Sequence, residues 1–507
     1  MNAVSPAPRA AMDHVDVLIV GAGLSGIGMA AHMRMMCPGK SYAIVDRRDE
    51  LGGTWDLFRY PGIRSDSDMH TLGFIFEPWK HEKSIADGPA ILEYLNRIVD
   101  ERGIRPNMRF GRKVVSADWQ GDAARWQVVL EDADGARSTM TAGWLFLGSG
   151  YYDYDDPFDA QLPGRGDFAG QIVHPQFWPR DLDFVGKRIV VIGSGATAVT
   201  IVPAIAAEGA GHVTMLQRTP TWYASRPAKD RFANTLRKIL PETWAYAITR
   251  KKNIWMQDWV FKMARNKPQK VKDALTKQIK AHLGDKYDEQ AFTPPYNPWE
   301  QRLCLVPDAD LFEAMKADKA EIVTDHIERI DATGIQLKSG KHLEADIIVT
   351  ATGLSLAIAG KIAVSVAGEP VEWSEHFYYK GAMFSNVPNL SAVFGYLNAS
   401  WTLRSDINAE YVCKVLNELD RKGANVATPV LPEDHGLEED DIFDFSSGYI
   451  QRGKHIMPRN AKTLPWRLNQ EYRKDRRDLK TAPIDDGVLQ FSKTEARAPS
   501  GELEAAE

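Results

Sequence analysis

Two glycine-rich stretches, each preceded by an apolar run, hold the residues of this chain that are best suited to chemistry. The first stretch has the spacing GxGxxG and contains Gly21, Gly23, Ser25 and Gly26. Such glycines permit a tight turn, close approach of the backbone to a pyrophosphate and close packing of helix on strand. Asp46 follows about twenty residues later, where a carboxylate accepts hydrogen bonds from a ribose 2′-hydroxyl. The first stretch therefore predicts an FAD site.

The second stretch has the same spacing but is followed by the opposite charge. Arg218 and Thr219 stand about twenty residues after it, where the first stretch has its acid. A guanidinium and a hydroxyl suit the 2′-phosphate of NADPH, although an arginine that pairs with a surface acid would give the same pattern. The second stretch therefore predicts an NADPH site, and its residues are Gly193, Ser194, Gly195, Ala196, Thr197, Ala198 and Val199.

Two loops after Asp46 contain residues that could contact a flavin. Gly52 and Gly53 permit close backbone approach to a cofactor, and Trp55 could cover a flavin edge, although a plain turn would have the same composition. Residues 59–68 then place two arginines and two acids within ten positions. Such a segment is more often a salt-bridged loop than a catalytic centre.

A third motif lies between the two glycine-rich stretches. It has the pattern FxGxxxHxxxWP, formed by Phe168, Gly170, His174, Trp178 and Pro179. A segment that joins two cofactor domains must hold their relative orientation, and His174 could do so by hydrogen bonding and Trp178 by packing. A structural role for these two residues is favoured over a chemical one.

The chain from about residue 15 to about residue 490 resembles the type I Baeyer–Villiger monooxygenases, in their ethionamide-activating branch. The pattern FxGxxxHxxxWP is the fingerprint of that family, in which it also lies between two nucleotide-binding motifs. Four further stretches carry the resemblance: residues 52–68, 193–199, 296–307 and 395–403.

The resemblance implies roles for individual residues. It makes Asp66 the active-site acid beside the flavin and Arg302 the mobile arginine that stabilises a C4a-peroxyflavin. Many family members have a lysine directly before this arginine, whereas this chain has Gln301, so the preference for NADPH over NADH is expected to depend on Arg218 and Thr219. The implied flavin contacts are Ser25, Asp46, Thr54, Trp55, Asp56, Leu57, Asp66 and Val114; the implied NADP contacts are Arg64, Ser65, Asp66, residues 193–199, Arg218 and Thr219.

The activity that the resemblance implies is conversion of ketones to esters or lactones with NADPH and O2, together with S-oxygenation of thioethers and thioamides. The alternative is a flavin monooxygenase that oxygenates nitrogen and sulfur without a physiological ketone substrate, but its fingerprint lacks the WP ending found here. A disulfide reductase of this architecture would need a redox-active cysteine pair, and the chain has no CxxC. A non-enzymatic flavin or NADP sensor is disfavoured by the presence of Asp66 and Arg302.

Composition excludes several other classes. The net charge of −6 predicts no binding to nucleic acid. Three cysteines far apart in sequence, Cys37, Cys304 and Cys413, predict neither a disulfide framework nor a metal site and favour a reducing compartment. We find no signal-peptide pattern in residues 1–14 and no apolar run of membrane-spanning length, so a cytoplasmic location is expected. The oligomeric state is not predicted.

The predicted fold is α/β, with two Rossmann-type dinucleotide-binding domains and a helical insertion in the second. We expect a disordered tail, the first part of the FAD domain, a linker with the fingerprint, the NADPH domain, the returning part of the FAD domain and a flexible tail. Their boundaries are 1–14, 15–150, 151–186, 187–345, 346–490 and 491–507.

The helical insertion, expected at about residues 225–290, is strongly basic and rich in aromatic residues. Between Arg226 and Lys286 there are sixteen Lys or Arg against five acids. The favoured interpretation is that its aromatic residues pack on the parent domain while its lysines are solvated. The alternative is weak peripheral membrane contact, because a basic surface with apolar side chains suits anionic lipid. The aromatic residues concerned are Trp244, Tyr246, Trp255, Trp259 and Phe261.

Overall fold

The computed structural model describes residues 13–301, 303–442 and 445–495. The strands are β1 Asp13–Val20, β2 Tyr42–Val45, β3 Met108–Arg109, β4 Lys113–Gln120, β5 Arg125–Glu131, β6 Arg137–Leu147, β7 Gln171–Val173, β8 Arg188–Ile192, β9 His212–Gln217, β10 Tyr223–Arg226, β11 Cys304–Pro307, β12 Ala320–Thr324, β13 Ile327–Asp331, β14 Gly334–Leu337, β15 His342–Glu344, β16 Ile347–Thr350, β17 Ala363–Val366, β18 Glu369–Pro370, β19 Tyr378–Tyr379, β20 Met383–Phe384, β21 Leu390–Ala392, β22 Val426–Pro429 and β23 Leu489–Ser492. The helices are α1 Leu24–Met36, α2 Thr54–Leu57, α3 Met69–Leu72, α4 Gly88–Glu101, α5 Ala196–Ala207, α6 Arg231–Ile239, α7 Glu242–Asn266, α8 Pro268–Leu283, α9 Glu289–Phe292, α10 Asp310–Lys316, α11 Trp401–Lys422, α12 Gly448–Gly453 and α13 Tyr472–Thr481.

The first sheet carries the first glycine loop. Its strand order is β18-β17-β4-β5-β6-β1-β2-β3, and β21 pairs with β6. β1 runs parallel between β2 and β6, and its residues 17–20 are buried, as expected for a central strand of an α/β sheet. Helices α1 and α11 pack together against this sheet. Residues from both ends of the chain therefore form the first domain.

The second sheet is five-stranded, parallel and ordered β12-β9-β8-β16-β7. Two strands differ from the expected boundaries. β16, placed by sequence at the start of the returning FAD segment, belongs to this second sheet, because a four-residue apolar strand does not indicate which sheet it joins. β7 lies in the segment expected as a linker, and its three residues are too few to show a periodic pattern.

The chain enters and leaves the second domain along two adjacent segments. The backbone N–H of Asp153 donates to the Ser355 carbonyl oxygen at 2.9 Å, and that of Ala357 donates to Tyr151 at 3.0 Å. The return to the first sheet is completed at β17, which pairs with β4. Two hydrogen-bonded segments thus connect the domains, and we refer to them as the double connection (residues 151–153 and 355–357).

The ends of the chain contain more regular structure than expected. β1 begins at Asp13, inside the predicted N-terminal tail, because residues 13–15 pair with β6. β23 extends to Ser492, inside the predicted C-terminal tail, and pairs with β22. The predicted tail residues 1–12 and 496–507 lie outside the described residues.

The basic insertion folds as helices α6 to α9. Tyr246 is buried, and its hydroxyl donates to the Phe74 carbonyl oxygen at 2.9 Å. Trp244, Trp255 and Trp259 are 67%, 54% and 50% exposed, so the favoured expectation that the aromatic residues pack on the parent domain is wrong for these three. Sequence periodicity located the helices, but it could not show which side of α7 has neighbours.

Two of the cysteines meet in space although they are distant in sequence. The Cys37 thiol, at the end of α1, lies 3.6 Å from the carbonyl oxygen of Cys413 in α11. Cys37, Cys304 and Cys413 are all free and buried. Among the described residues, no helix has the length and apolar character needed to cross a membrane.

Candidate active site

The loop between β1 and α1 has the geometry of a pyrophosphate-binding turn. Gly21 has φ 102°, a left-handed conformation that favours glycine. A Cβ atom at Gly26 would lie 1.8 Å from the Gly21 carbonyl oxygen, so only glycine fits there. α1 follows Gly23, and no side chain among the described residues caps its first N–H groups. Those groups can bind an anion.

Asp46 lies directly after β2, beside this loop. Its two carboxylate oxygens accept hydrogen bonds from the backbone N–H groups of Ala22 at 2.6 Å and Arg48 at 2.9 Å. Burial raises the pKa of Asp46, while these two hydrogen bonds lower it. Each oxygen keeps acceptor capacity for a ribose hydroxyl. The structure thus brings the predicted ribose acceptor next to the first glycine loop.

The Gly52–Gly53 turn packs against the same loop. The N–H of Gly52 donates to the Ala22 carbonyl oxygen at 2.9 Å. A Cβ atom at Gly53 would lie 3.0 Å from the Gly23 Cα atom. This contact makes the turn part of the first candidate site and favours a cofactor contact over a plain turn.

The carboxylate of Asp56 has a structural role within α2. It accepts a hydrogen bond from Arg48 Nε at 2.8 Å and another from Arg59 Nη2 at 2.7 Å. Two guanidinium partners satisfy this buried carboxylate, as burial of a charge requires. Of the other predicted flavin contacts, Thr54 hydrogen-bonds to Tyr154, Trp55 and Leu57 are half-buried and Val114 is buried in β4.

An aromatic cluster beside Ser25 was not predicted. The indole Nε1–H of Trp401 donates to the Ser25 hydroxyl at 2.9 Å. The Tyr151 ring stacks on Trp401 with centroids 4.8 Å apart and an interplanar angle of 11°, and Phe394 lies 5.2 Å from Tyr151. Trp401 falls within residues 395–403, quoted above for the family resemblance, but nothing in the sequence indicates its contact with the first loop.

The second glycine loop repeats the geometry of the first. Gly193 has φ 131°, and a Cβ atom there would lie 2.2 Å from the Ala351 carbonyl oxygen. A Cβ atom at Gly195 would have no neighbour within 4 Å among the described residues, so this side of the loop is open to a ligand. The buried hydroxyl of Thr352 also has no hydrogen-bond partner in the part of the chain described. The residues of this loop thus fit a bound dinucleotide.

Arg218 and Thr219 follow β9 at the edge of this loop. The Ser194 hydroxyl donates to the Thr219 carbonyl oxygen at 3.1 Å, which ties the two segments together. Arg218 is exposed and forms no ion pair with any described residue. The alternative interpretation, an arginine that pairs with a surface acid, therefore has no support in the structure.

Residues 58–63 follow α2 of the first domain and pack against α5 of the second. A Cβ atom at Gly62 would lie 2.6 Å from the Ala204 Cβ atom in α5. Burial raises the pKa of Tyr60, a hydrogen bond with Thr197 lowers it and the negative charge of Asp66 raises it. Tyr60 thus lies between Asp66 and the start of α5, an arrangement that sequence reasoning did not identify.

Arg64, Ser65 and Asp66 differ in their contacts and in their exposure to solvent. Arg64 forms an ion pair with Asp310 at the start of α10. Ser65 is buried, and its N–H donates to the Ala86 carbonyl oxygen at 2.8 Å. Asp66 is exposed and interacts with a neighbouring group. Of the three, Arg64 is half-buried, Ser65 is buried and only Asp66 is exposed.

Arg302 lies outside the described residues, but the residues around it are placed. The N–H of Cys304 donates to the Trp222 carbonyl oxygen at 2.9 Å, at the start of the pairing between β10 and β11. The Cys304 thiol lies 3.7 Å from the carbonyl oxygen of Ser194 in the second glycine loop. β11, which begins at Cys304, therefore starts beside the second candidate site.

The fingerprint segment is part of the second domain rather than a free linker. A Cβ atom at Gly170 would lie 2.4 Å from the Asp346 carbonyl oxygen, where β7 joins β16. His174 Nδ1 accepts a hydrogen bond from the Gln176 N–H at 3.2 Å, and burial lowers the pKa of His174. Phe168, Trp178 and Pro179 are half-buried. These contacts favour the structural interpretation of the fingerprint.

Comparison with known proteins places the chain in a family. The flavin-binding monooxygenase-like family model matches residues 81–282, and a NAD(P)-binding Rossmann-like domain model matches residues 19–81. The FAD-containing monooxygenase EthA of Mycobacterium tuberculosis is 48% identical over 485 residues, which cover 96% of this chain and 99% of the relative. The chain belongs to the flavin-binding monooxygenase family. The probable FAD-binding monooxygenase AlmA of Acinetobacter baylyi is 46% identical over 480 residues, with 95% and 96% covered.

Solved structures share the fold of this monooxygenase. An oxidised steroid monooxygenase bound to NADP has a TM-score of 0.75 at 21% identity and covers 95% of this chain and 100% of its own. A cyclohexanone monooxygenase bound to ε-caprolactone has a TM-score of 0.74 at 20% identity, with 95% and 100% covered. The predictions of the α/β fold and of a flavoprotein monooxygenase are confirmed.

Proposed function

We propose that this monooxygenase binds FAD at the first glycine loop and NADPH at the second, and that it converts ketones to esters or lactones. The observation that carries the proposal is the pair of matching loops whose following residues are Asp46 and Arg218. A carboxylate that accepts from a ribose hydroxyl suits FAD, and an exposed guanidinium without an acidic partner among the described residues suits a 2′-phosphate.

The reaction balances with both cofactors. One oxygen atom of O2 is inserted between the carbonyl carbon and its more substituted neighbour, and the other leaves as water. NADPH supplies the two electrons, and one proton is taken up. When bound, the flavin passes these electrons to O2 and so supplies the oxygen that is inserted.

In this reaction the residues of the chain would bind the two cofactors, stabilise negative charge and position the charged side chain that does so. The uncapped starts of α1 and α5 would hold the two pyrophosphates. Arg302 would stabilise negative charge that develops on oxygen near the carbonyl, in the manner of a preorganised cationic group. Asp66, exposed next to Tyr60 and the start of α5, would hold that guanidinium in place.

Substitution of the arginine tests the mechanism. In Arg302→Ala we expect anaerobic reduction of the flavin by NADPH at about the wild-type rate and loss of ester formation by roughly 100-fold or more, the scale found for a single charge-stabilising group. Arg329→Ala, a change in the exposed hairpin strand β13, is the control and should leave both rates unchanged. Ester formation at the wild-type rate in Arg302→Ala would remove Arg302 from the mechanism.

The substrate class is tested with ¹⁸O2 and paired substrates. A ketone should yield a product heavier by one labelled oxygen, with one NADPH consumed for each product. A parallel thioether should yield a sulfoxide. If only the thioether is oxygenated, the enzyme is a heteroatom monooxygenase and the ketone proposal fails.

We also propose a cytoplasmic location, in which the buried thiols of the chain would stay reduced. The three cysteines are free thiols in the structure, including the adjacent Cys37 and Cys413. Such pairs persist as thiols where glutathione and thioredoxin keep them reduced.

A further inference from the structure

One side of α7 carries a row of large apolar side chains that face solvent. Trp244, Ile248, Trp255 and Trp259 are between 40% and 67% exposed. At about 100° per residue these four positions fall within an arc of about 60° on the helix. Trp255 and Trp259 also stack on each other, with ring centroids 6.4 Å apart. We call these four residues the α7 stripe.

The orientation of the α7 stripe is fixed by the opposite side of the helix. Arg250 is buried and donates to the Gly73 carbonyl oxygen at 2.6 Å. Asn253 is buried and donates to the Asp68 carboxylate at 2.8 Å. Because these polar contacts hold the inner side of α7 on the first domain, rotation of the helix cannot bury the stripe.

Two lysines lie beside the stripe. Lys251 and Lys262 lie within about 20° of its arc and are exposed, and Lys262 also pairs with Asp258 at 3.0 Å. The whole segment from Arg226 to Lys286 has sixteen basic and five acidic residues in a chain of net charge −6. Ile239, the last residue of α6, is also exposed, at 71%. Apolar side chains and lysines thus occur together on the exposed side of α7.

We propose that the α7 stripe, with the lysines beside it, docks peripherally on an anionic lipid bilayer. Tryptophan combines a large apolar ring with an N–H group and is favoured at the boundary between lipid headgroups and acyl chains. Lysine side chains next to it can extend to lipid phosphates while their methylene groups cover apolar surface. A second copy of this chain is a poorer occupant, because a two-fold contact through this side would bring two basic segments together.

The proposal does not depend on the oxygenation chemistry. In the docked state the outer side of α7 would meet the bilayer while its inner side contacts α3, which follows the loop of Asp66. An apolar substrate dissolved in lipid would then be presented near the enzyme. The docking experiment measures binding alone, so its outcome is independent of the substrate.

Vesicle co-sedimentation of the flavin-loaded enzyme tests docking. We expect at least tenfold more binding to vesicles of phosphatidylcholine with phosphatidylglycerol than to phosphatidylcholine alone, and a decrease at high salt because screening weakens charge attraction. The double variant Trp255→Ser/Trp259→Ser should lose binding by tenfold or more. Lys251→Glu should lose most of the preference for anionic lipid.

Matched changes elsewhere serve as controls. Val185→Ser alters an apolar side chain that is 64% exposed on the loop before β8, and Lys338→Glu alters an exposed lysine between β14 and β15. Both should bind vesicles as the wild type does, and all four variants should keep wild-type flavin content. Wild-type vesicle binding by the tryptophan variant, or equal binding to neutral and anionic vesicles, overturns the proposal. So does a wild-type dimer that the tryptophan variant converts to monomer without any vesicle binding by either protein.

Discussion

At the scale of single residues, the two nucleotide loops differ most in the side chain that follows them. Asp46 holds two backbone N–H groups and is enclosed by the loop it serves, whereas Arg218 is exposed at the end of β9. An acid held by two backbone N–H groups is positioned before any ligand arrives, whereas an exposed arginine loses more side-chain entropy when it orders on a phosphate. Coenzyme choice should therefore be easier to alter than flavin binding.

Arg218→Ala should raise the KM for NADPH by about 10- to 100-fold, the scale of one or two hydrogen bonds to a charged group, and leave the KM for NADH nearly unchanged. Steady-state kinetics with both coenzymes measures the ratio. Gln301 next to Arg302 supplies no charge to compensate for the loss. A control, Arg329→Ala, should alter neither constant. Equal increases for both coenzymes would show that Arg218 does not bind the 2′-phosphate.

The residues that sequence could identify are those whose role depends on their near neighbours in the chain. Gly21 and Gly193 were predictable because a turn between strand and helix needs a positive φ within a few residues. The contact of Trp401 with Ser25 spans 376 positions, and a lone tryptophan has no local pattern that indicates its partner. Long-range packing of this kind follows only from the complete fold.

At the scale of elements, α7 joins the basic insertion to the short helix α3. Asp68 caps α3 by accepting from the Thr71 N–H, and it also accepts from Asn253 at 2.8 Å and Gln257 at 3.1 Å. A buried carboxylate needs all of these donors, because the low dielectric of the interior makes an unsatisfied charge costly. Asp68 lies two residues after Asp66, so these hydrogen bonds also hold the end of the loop that carries Asp66.

Asn253→Ala should lower the free energy of unfolding by about 1–3 kcal/mol, because it removes one donor from a buried carboxylate. Urea unfolding followed by circular dichroism measures the change. Asn266→Ala, at the exposed end of the same helix, is the matched control and should change stability by less than about 0.5 kcal/mol. Because Ala favours helix more than Asn does, similar losses in both variants would mean that the Asp68 network is not the cause of the effect.

His70 lies in α3 beside Asp68, and its burial should make the stability of the protein depend on pH. Burial lowers the pKa of His70 from its usual value, and the charge of Asp68 opposes the shift. Below about pH 6.5 the unfolded chain therefore binds a proton that the folded chain resists, so stability should fall as pH falls. In His70→Asn the loss between pH 7.5 and pH 5.5 should be smaller than in the wild type, as urea unfolding at both values would show. The exposed His326→Asn is the control, and an identical pH dependence in all three proteins would exclude His70 as the cause.

The elements themselves were easier to predict than their partners. Helical spacing located α6 to α8, but the exposure of Trp244 and Trp255 depends on which side of α7 meets the first domain. Likewise, the apolar run of β16 predicts a strand but not its sheet, because parallel pairing is set by distant segments.

At the scale of the whole molecule, the fingerprint segment attaches the second sheet to the rest of the chain. Gly170→Ala should lower the free energy of unfolding by about 1–3 kcal/mol, because its methyl group would meet the Asp346 backbone at 2.4 Å and displace β7 from β16. Gly166→Ala is the control, since a Cβ atom there meets no described atom within 4 Å. Thermal unfolding of the two variants measures the difference. If Gly170→Ala unfolds at the wild-type temperature, β7 accommodates the methyl group by shifting.

The double connection has a consequence for how the enzyme can be divided. Because Asp153 and Ser355 are hydrogen-bonded neighbours, the second domain begins and ends at one place on the surface of the first. An insert whose ends meet can be cut out and the host rejoined by a short loop, as in successful domain insertions. Exchange of the region between the two crossings would therefore need only two adjacent joins, in a host that also rebuilds the buried contacts of α7 with the segment around α3.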